Sequence, residues 1–144
     1  MFKDTNLTDT LIAGLRTKGR RVTRSRKAIL DVLKRSQYPL SASDLHACLK
    51  RGNVSVDLVT VYRTLAMLKE MGFISQVEFQ EGQFRYEIRH GREHHHHIRC
   101  RGCGRIADLM LCPLKKLAAL VERKTRFLVE GHALELFGWC PQCR

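Results

Sequence analysis

Along the first 72 residues the apolar positions recur at helical spacing in four short blocks. Leu11, Ile12 and Leu15 predict a helix over 8–18 that Gly19 ends. Thr23 opens a second helix, with Ala28, Ile29, Val32 and Leu33 on one side and Pro39 beyond its end. Ser41 stands three residues before Asp44, the spacing of a capping box. It opens a third helix that turns Leu45, Cys48 and Leu49 inward and stops near Gly52. Cys48 reads as a core residue. The fourth block, 57–72, starts with β-branched residues. Its length and helix-forming second half favour a helix, with Leu58, Val61, Leu65 and Leu68 on one stripe and Gly72 as its C-cap. The period then changes to two. Phe84, Tyr86 and Ile88 alternate with Arg85, Glu87 and Arg89, a strand that pairs back through Glu81-Gly82 onto 74–79.

Short helices followed by a basic-tipped hairpin make a winged helix-turn-helix over 1–88, and its fourth helix is the one placed to enter a major groove. Arg63 lies opposite the apolar stripe of that helix, with Thr60 and Tyr62 towards the edges, side chains suited to base edges and phosphates. Residues 89–93 are polar and read as a hinge. Beyond it, 94–144 predicts a short strand at 95–100, another at 105–109 and a helix opened by Pro113. Leu114, Leu117, Ala118 and Val121 give that helix a buried face, and a strand region follows over 127–137. The class is α+β.

Charge sharpens this picture. The 144 residues carry a net charge of +12, and seven basic residues with no acidic one fall between Arg16 and Lys27. Such a surface suits a polyanionic partner. No apolar run approaches about 20 residues, so no membrane span is expected. The N-terminal residues lack the charged start and apolar block of a signal peptide, which makes a cytoplasmic address the expectation. Cysteines there stay reduced and serve metals rather than disulfides.

Metal chemistry is concentrated in His94–Cys103, H-H-H-H-I-R-C-R-G-C, and in the closing Cys140-Pro-Gln-Cys143. Two C-x2-C knuckles far apart in sequence are the spacing of a tetrahedral zinc site, made of Cys100, Cys103, Cys140 and Cys143. The W-C-P-Q-C at 139–143 has the look of a redox motif, but such a motif opens a helix and only Arg144 follows it. In a strand, successive side chains face opposite ways. His95 and His97 then line one face, where Glu87, His90 and Asp108 are candidate partners for a regulatory metal. His94 and His96 line the other, where His132 is the available histidine. A zinc deaminase would need H-x-E paired with P-C-x-x-C. His90-Gly-Arg-Glu93 has the wrong gap, Pro141 lies inside its knuckle, and four thiolates leave no open position for water. Neither an enzyme nor a small-molecule substrate is expected. A constitutive zinc-stabilised module that binds DNA or RNA is the other class to separate.

Val61-Tyr62-Arg63, the H-H-x-H-x-x-C-x-x-C-G of 94–104 and the closing C-x-x-C together resemble the ferric uptake regulator (Fur) family of metal-responsive repressors, over nearly the whole chain. The unbroken histidine run is most similar to zinc uptake regulators. The resemblance implies a C-terminal dimerisation domain, a structural Zn²⁺ on the four cysteines and double-stranded DNA as partner, bound by a homodimer at a pseudo-palindromic operator. It implies a sensing site at the hinge from Glu87, His95, His97 and Asp108, with His90 where some zinc sensors place a cysteine. It implies a peripheral site from His94, His96 and His132, and DNA contacts from Arg21, Tyr62 and Arg63. Three positions depart from iron sensors: His96 stands where Asp is usual, Pro39 where a histidine often lies, and Lys115 near the expected glutamate. A nitrogen-rich hinge site favours Zn²⁺ over Fe²⁺ as the sensed ion. Cys112 lies outside both knuckles and takes no role.

Overall fold

The structure is a computed structural model and describes residues 5–144 apart from His90 and Arg92. The chain divides into two compact units, Met1–Arg92 and Glu93–Arg144. In the first, α1 (Thr5–Thr17) turns Leu11 and Leu15 into the core. Its Gly14 admits a neighbour, because a Cβ there would stand 2.6 Å from the ring of Phe73. Side chains that bind their own backbone set where the next three helices start. Thr23 accepts from the Arg26 amide at 3.2 Å and opens α2 (Arg24–Arg35). The two-residue strand β1 (Leu40–Ser41) leads into α3 (Ala42–Arg51). There Ser41 and Asp44 form both bonds of the capping box, each 3.1 Å. Asp57 accepts from the Thr60 amide at 2.7 Å and opens α4 (Leu58–Glu70).

Val61, Leu65 and Leu68 are buried as the periodicity predicts, and Thr64 and Met67 join them. Leu58 does not. It is exposed at the first turn of α4, before the stripe has a partner to cover it. The helix is capped at Met71, and Gly72 follows with φ +75°, the left-handed conformation that reverses the chain. Cys48 is half-buried rather than core, and Arg51 Nη2 donates to its sulfur at 2.9 Å. Strands β2 (Ile74–Glu78) and β3 (Phe84–Ile88) form the wing in a sheet of order β1-β3-β2. Arg85 on β3 pairs with Glu81 at the wing's turn and, at 3.0 Å, with Asp44 at the start of α3. Burial opposes ionisation of Asp44, but the Ser41 hydrogen bonds and Arg85 outweigh it and hold the carboxyl below its ordinary value.

The second unit is a three-stranded sheet and one helix: β4 (His96–Cys100), β5 (Ile106–Leu109), α5 (Leu114–Thr125) and β6 (Glu135–Gly138). The order is β5-β4-β6, with β4 antiparallel to β5 and parallel to β6. Two expectations need correcting. Residues 126–134 are irregular, so the predicted strand over 127–137 shrinks to four residues; Arg126 takes φ +64° and ends α5. Helix α5 buries none of its residues within its own chain: Leu117 is 52% exposed and Val121 38%. Its apolar stripe is real, but the core it was expected to face is absent from this unit. None of the described helices is long and apolar enough to cross a membrane. Ser41→Ala removes one arm of the capping box and is expected to cost about 1 kcal/mol of stability. Urea unfolding followed by helical circular dichroism measures this.

Candidate metal centres and nucleic-acid interface

The four cysteines come together because β6 runs parallel beside β4. The register pairs Cys100 with Gly138, so the turns after the two strands lie side by side. Arg101 N donates to Gly138 O at 2.7 Å and Arg105 Nη1 to Gln142 Oε1 at 3.0 Å, which ties the knuckles together. Gly102 is required by the closeness: a Cβ there would stand 3.0 Å from Cys143 Cβ and Sγ. The four sulfurs lie within 4.8 Å of one another, and Cys103 and Cys140 are 3.7 Å apart. A tetrahedral Zn²⁺ with Zn–S near 2.3 Å has sulfur–sulfur edges of about 3.8 Å, so the donors fit that ion.

Two of these thiols depart from the ordinary acidity, in opposite directions. Amide N–H groups of Cys103 and Cys140 bring Cys100 down to about 6, and Cys140 N–H donates to its sulfur at 3.3 Å. Hydrogen bonding with the Cys140 and Cys103 side chains pushes Cys143 up to about 12. One negative charge is welcome here, whereas four thiolates need a cation to offset them.

The histidine run splits into two pairs as alternation predicts, although β4 begins only at His96 and His94 and His95 lie just before it. On one face, the His94 and His96 Nε2 atoms are 3.1 Å apart, and His132 Nε2 lies 3.1 Å from that of His94. Cys112 joins these three, with all four donor atoms within 4.8 Å. Burial, followed by the facing His96 and His132 rings, lowers the pKa of His94. Lys115, near the position where a glutamate was expected, adds to that effect rather than supplying a ligand.

On the other face, the His95 and His97 rings lie 4.8 Å apart between centroids. His97 is 1% exposed and occupies the middle of a row across three strands, paired with Asp108 on β5 and Glu135 on β6. Its Nδ1 is 3.4 Å from Glu135 Oε2, and its Nε2 is 3.8 Å from Asp108 Oδ1. His95 Nδ1 meets the Glu93 carbonyl at 2.7 Å, and since a carbonyl only accepts, Nδ1 carries the proton. Glu87, on β3, belongs to the first unit. His90 lies outside the described residues. Sequence reasoning missed Glu135, whose link to His97 follows from a parallel register, and Cys112, which no spacing ties to a histidine.

In the first unit, Tyr62 is 52% exposed on α4 and Arg63 is exposed beside it. The Thr60 hydroxyl donates to Asp57 Oδ2 at 2.9 Å, so the group expected to face DNA also takes part in capping. Arg21 is exposed, and its carbonyl accepts from the Arg26 guanidinium, which stiffens the turn into α2.

Residues 17–137 match the sequence model of the ferric uptake regulator family. The chain is 32% identical over 131 residues to the ferric uptake regulation protein of Bordetella parapertussis, covering 90% of this chain and 94% of that one. It is 29% identical over 133 residues to the peroxide-responsive repressor PerR of Staphylococcus aureus, covering 92% and 88%. Its fold is similar to that of the Helicobacter pylori ferric uptake regulator Fur, with TM-score 0.80, 28% identity and coverage of 96% and 91%. With a winged helix, a four-cysteine centre and a split histidine run placed on one chain, it belongs to the ferric uptake regulator family of metal-responsive transcription regulators.

Proposed function

We propose that the chain is a dimeric, metal-dependent repressor that binds a pseudo-palindromic DNA operator in the cytoplasm when a regulatory divalent cation, Zn²⁺ in preference to Fe²⁺, is held by His95, His97 and Asp108. The observation that carries this reading is the row Asp108–His97–Glu135. A buried imidazole with a carboxylate near each ring nitrogen and a second histidine beside it is a cation site in its donor chemistry. Glu135 takes the Nδ1 side and turns Nε2 towards Asp108, so the ligand nitrogen is chosen by the protein. Glu87 and His90 complete the proposed set on the strength of sequence and resemblance. A bound cation there supplies positive charge that draws these side chains together. Nitrogen-rich donors that close tetrahedrally support zinc over iron, which more often takes five or six ligands. The related Helicobacter pylori Fur is described as having three functional metal-binding sites, which supports more than one cation per chain here.

The four cysteines hold a structural Zn²⁺ in this reading. Helix α5, with Leu117, Leu120 and Val121 exposed, is the surface that a second copy covers. On DNA, Tyr62 and Arg63 of α4 read the major groove, with Thr60 at the start of the helix, and Arg21 grips phosphate.

Substitutions and metal titrations test this. Cys103→Ser is expected to lose bound zinc and dimeric order together, since a structural zinc contributes on the order of 10 kcal/mol to folding. Metal analysis alongside analytical ultracentrifugation reads both, and a folded, zinc-free dimer refutes the assignment. The double variant His95→Ala/His97→Ala should keep the fold and the structural zinc yet no longer respond to metal in operator-binding titrations. Wild-type response in metal-buffered solution to Fe²⁺ alone would make the protein an iron sensor, and binding without any metal response would make it a constitutive module. Arg21→Ala should weaken binding to all sequences alike and flatten the salt dependence by about one phosphate contact. Tyr62→Ala should also blur operator against random DNA in the same titration.

A further inference from the structure

Cys112 sits between β5 and α5, outside both knuckles, yet its Sγ is 3.4 Å from His132 Nε2. That nitrogen is 3.1 Å from His94 Nε2, which is 3.1 Å from His96 Nε2. A cysteine beside one imidazole is equally the arrangement of a nucleophile and its base. Two further imidazole nitrogens converging on the same point have no place in that chemistry, and a cation does. Around a tetrahedral Zn²⁺ the nitrogen–nitrogen edges are about 3.4 Å and the nitrogen–sulfur edges about 3.6 Å. The observed separations lie within a few tenths of an ångström of these.

The tautomers agree. His96 Nδ1 meets the Leu134 carbonyl at 3.1 Å. A carbonyl only accepts, so Nδ1 carries the proton and the Nε2 lone pair points into the cluster. His96 is 4% exposed, which fixes the ring in that direction.

We propose that the Cys112 thiolate is the fourth ligand of the peripheral site that the family resemblance implies for His94, His96 and His132, making it a three-nitrogen, one-sulfur site for a borderline divalent cation of the zinc class. The sulfur decides the class of ion: three imidazoles alone admit most first-row metals, a carboxylate in the fourth place favours harder ions, and a thiolate turns the site towards zinc and away from manganese or magnesium. The four ligands come from β4 and the residues just before it, the loop before α5 and the irregular residues 126–134. A bound ion therefore ties that loop and the irregular stretch to the sheet. The assignment stands whichever cation acts at His95 and His97.

Cobalt(II) titrated into the full chain, with zinc content measured to show that the four-cysteine site keeps its ion, is the test. The expected result is a near-ultraviolet sulfur-to-cobalt charge-transfer band together with tetrahedral visible bands. Cys112→Ser should abolish that band and weaken cobalt binding at least tenfold, the size of effect that even a residue supporting a ligand produces (about 10–100-fold). His132→Ala should do the same, while His95→Ala/His97→Ala should retain the band. Cobalt binding without a sulfur band, or a band undiminished in Cys112→Ser, overturns the proposal. The wild type gives a second reading that no variant's folding can confuse: added Zn²⁺ should protect Cys112 from alkylation by iodoacetamide, located by mass spectrometry. Equal labelling with and without Zn²⁺ also overturns it.

Discussion

The parallel pairing of β6 with β4 is the constraint on which the second unit depends. One register sets Cys100 against Gly138, which carries Cys140 and Cys143 to the first knuckle. The same register sets His97 against Glu135. Just before β6, the Leu134 carbonyl reaches His96, and the chain has passed through His132 on its way. Three clusters of donor atoms therefore rest on four residues of strand. Backbone ladders are stiff, so the donors are held at their spacings by hydrogen bonds rather than by each other.

The first unit solves a different problem with similar economy. Helix α4 presents Tyr62 and Arg63 to solvent while Val61, Thr64, Leu65 and Leu68 hold it down. Alternation of the two faces along one helix does this. Asp57 fixes where the helix begins, and hence which residues face outward. Arg85 joins the wing to the start of α3 through Asp44, which ties the hairpin to the helix-turn-helix.

Most of this was legible in the residues. Capping signals at Thr23 and Ser41 gave helix starts because they act through local hydrogen bonds, and the two knuckles gave a cluster of four sulfurs because tetrahedral geometry restricts spacing. Strand parity separated His94 and His96 from His95 and His97 for the same local reason. What could not be read depends on long-range pairing. Glu135 lies 38 positions after His97, and only the parallel register makes them neighbours. Cys112 meets His132 through the path of an irregular segment that has no periodicity. The error at α5 has another origin: an apolar stripe says that a face will be covered, but not by which molecule.

That stripe has a thermodynamic consequence. Where a second copy covers those leucines, as proposed above, the helix draws stability from association, and association obeys mass action. The second unit then has no single melting temperature. Its midpoint rises with the logarithm of protein concentration, so a scarce regulator is also a less stable one. The irregular stretch that carries His132 follows directly from α5, so the segment that leads to the histidine cluster is joined to that uncovered face.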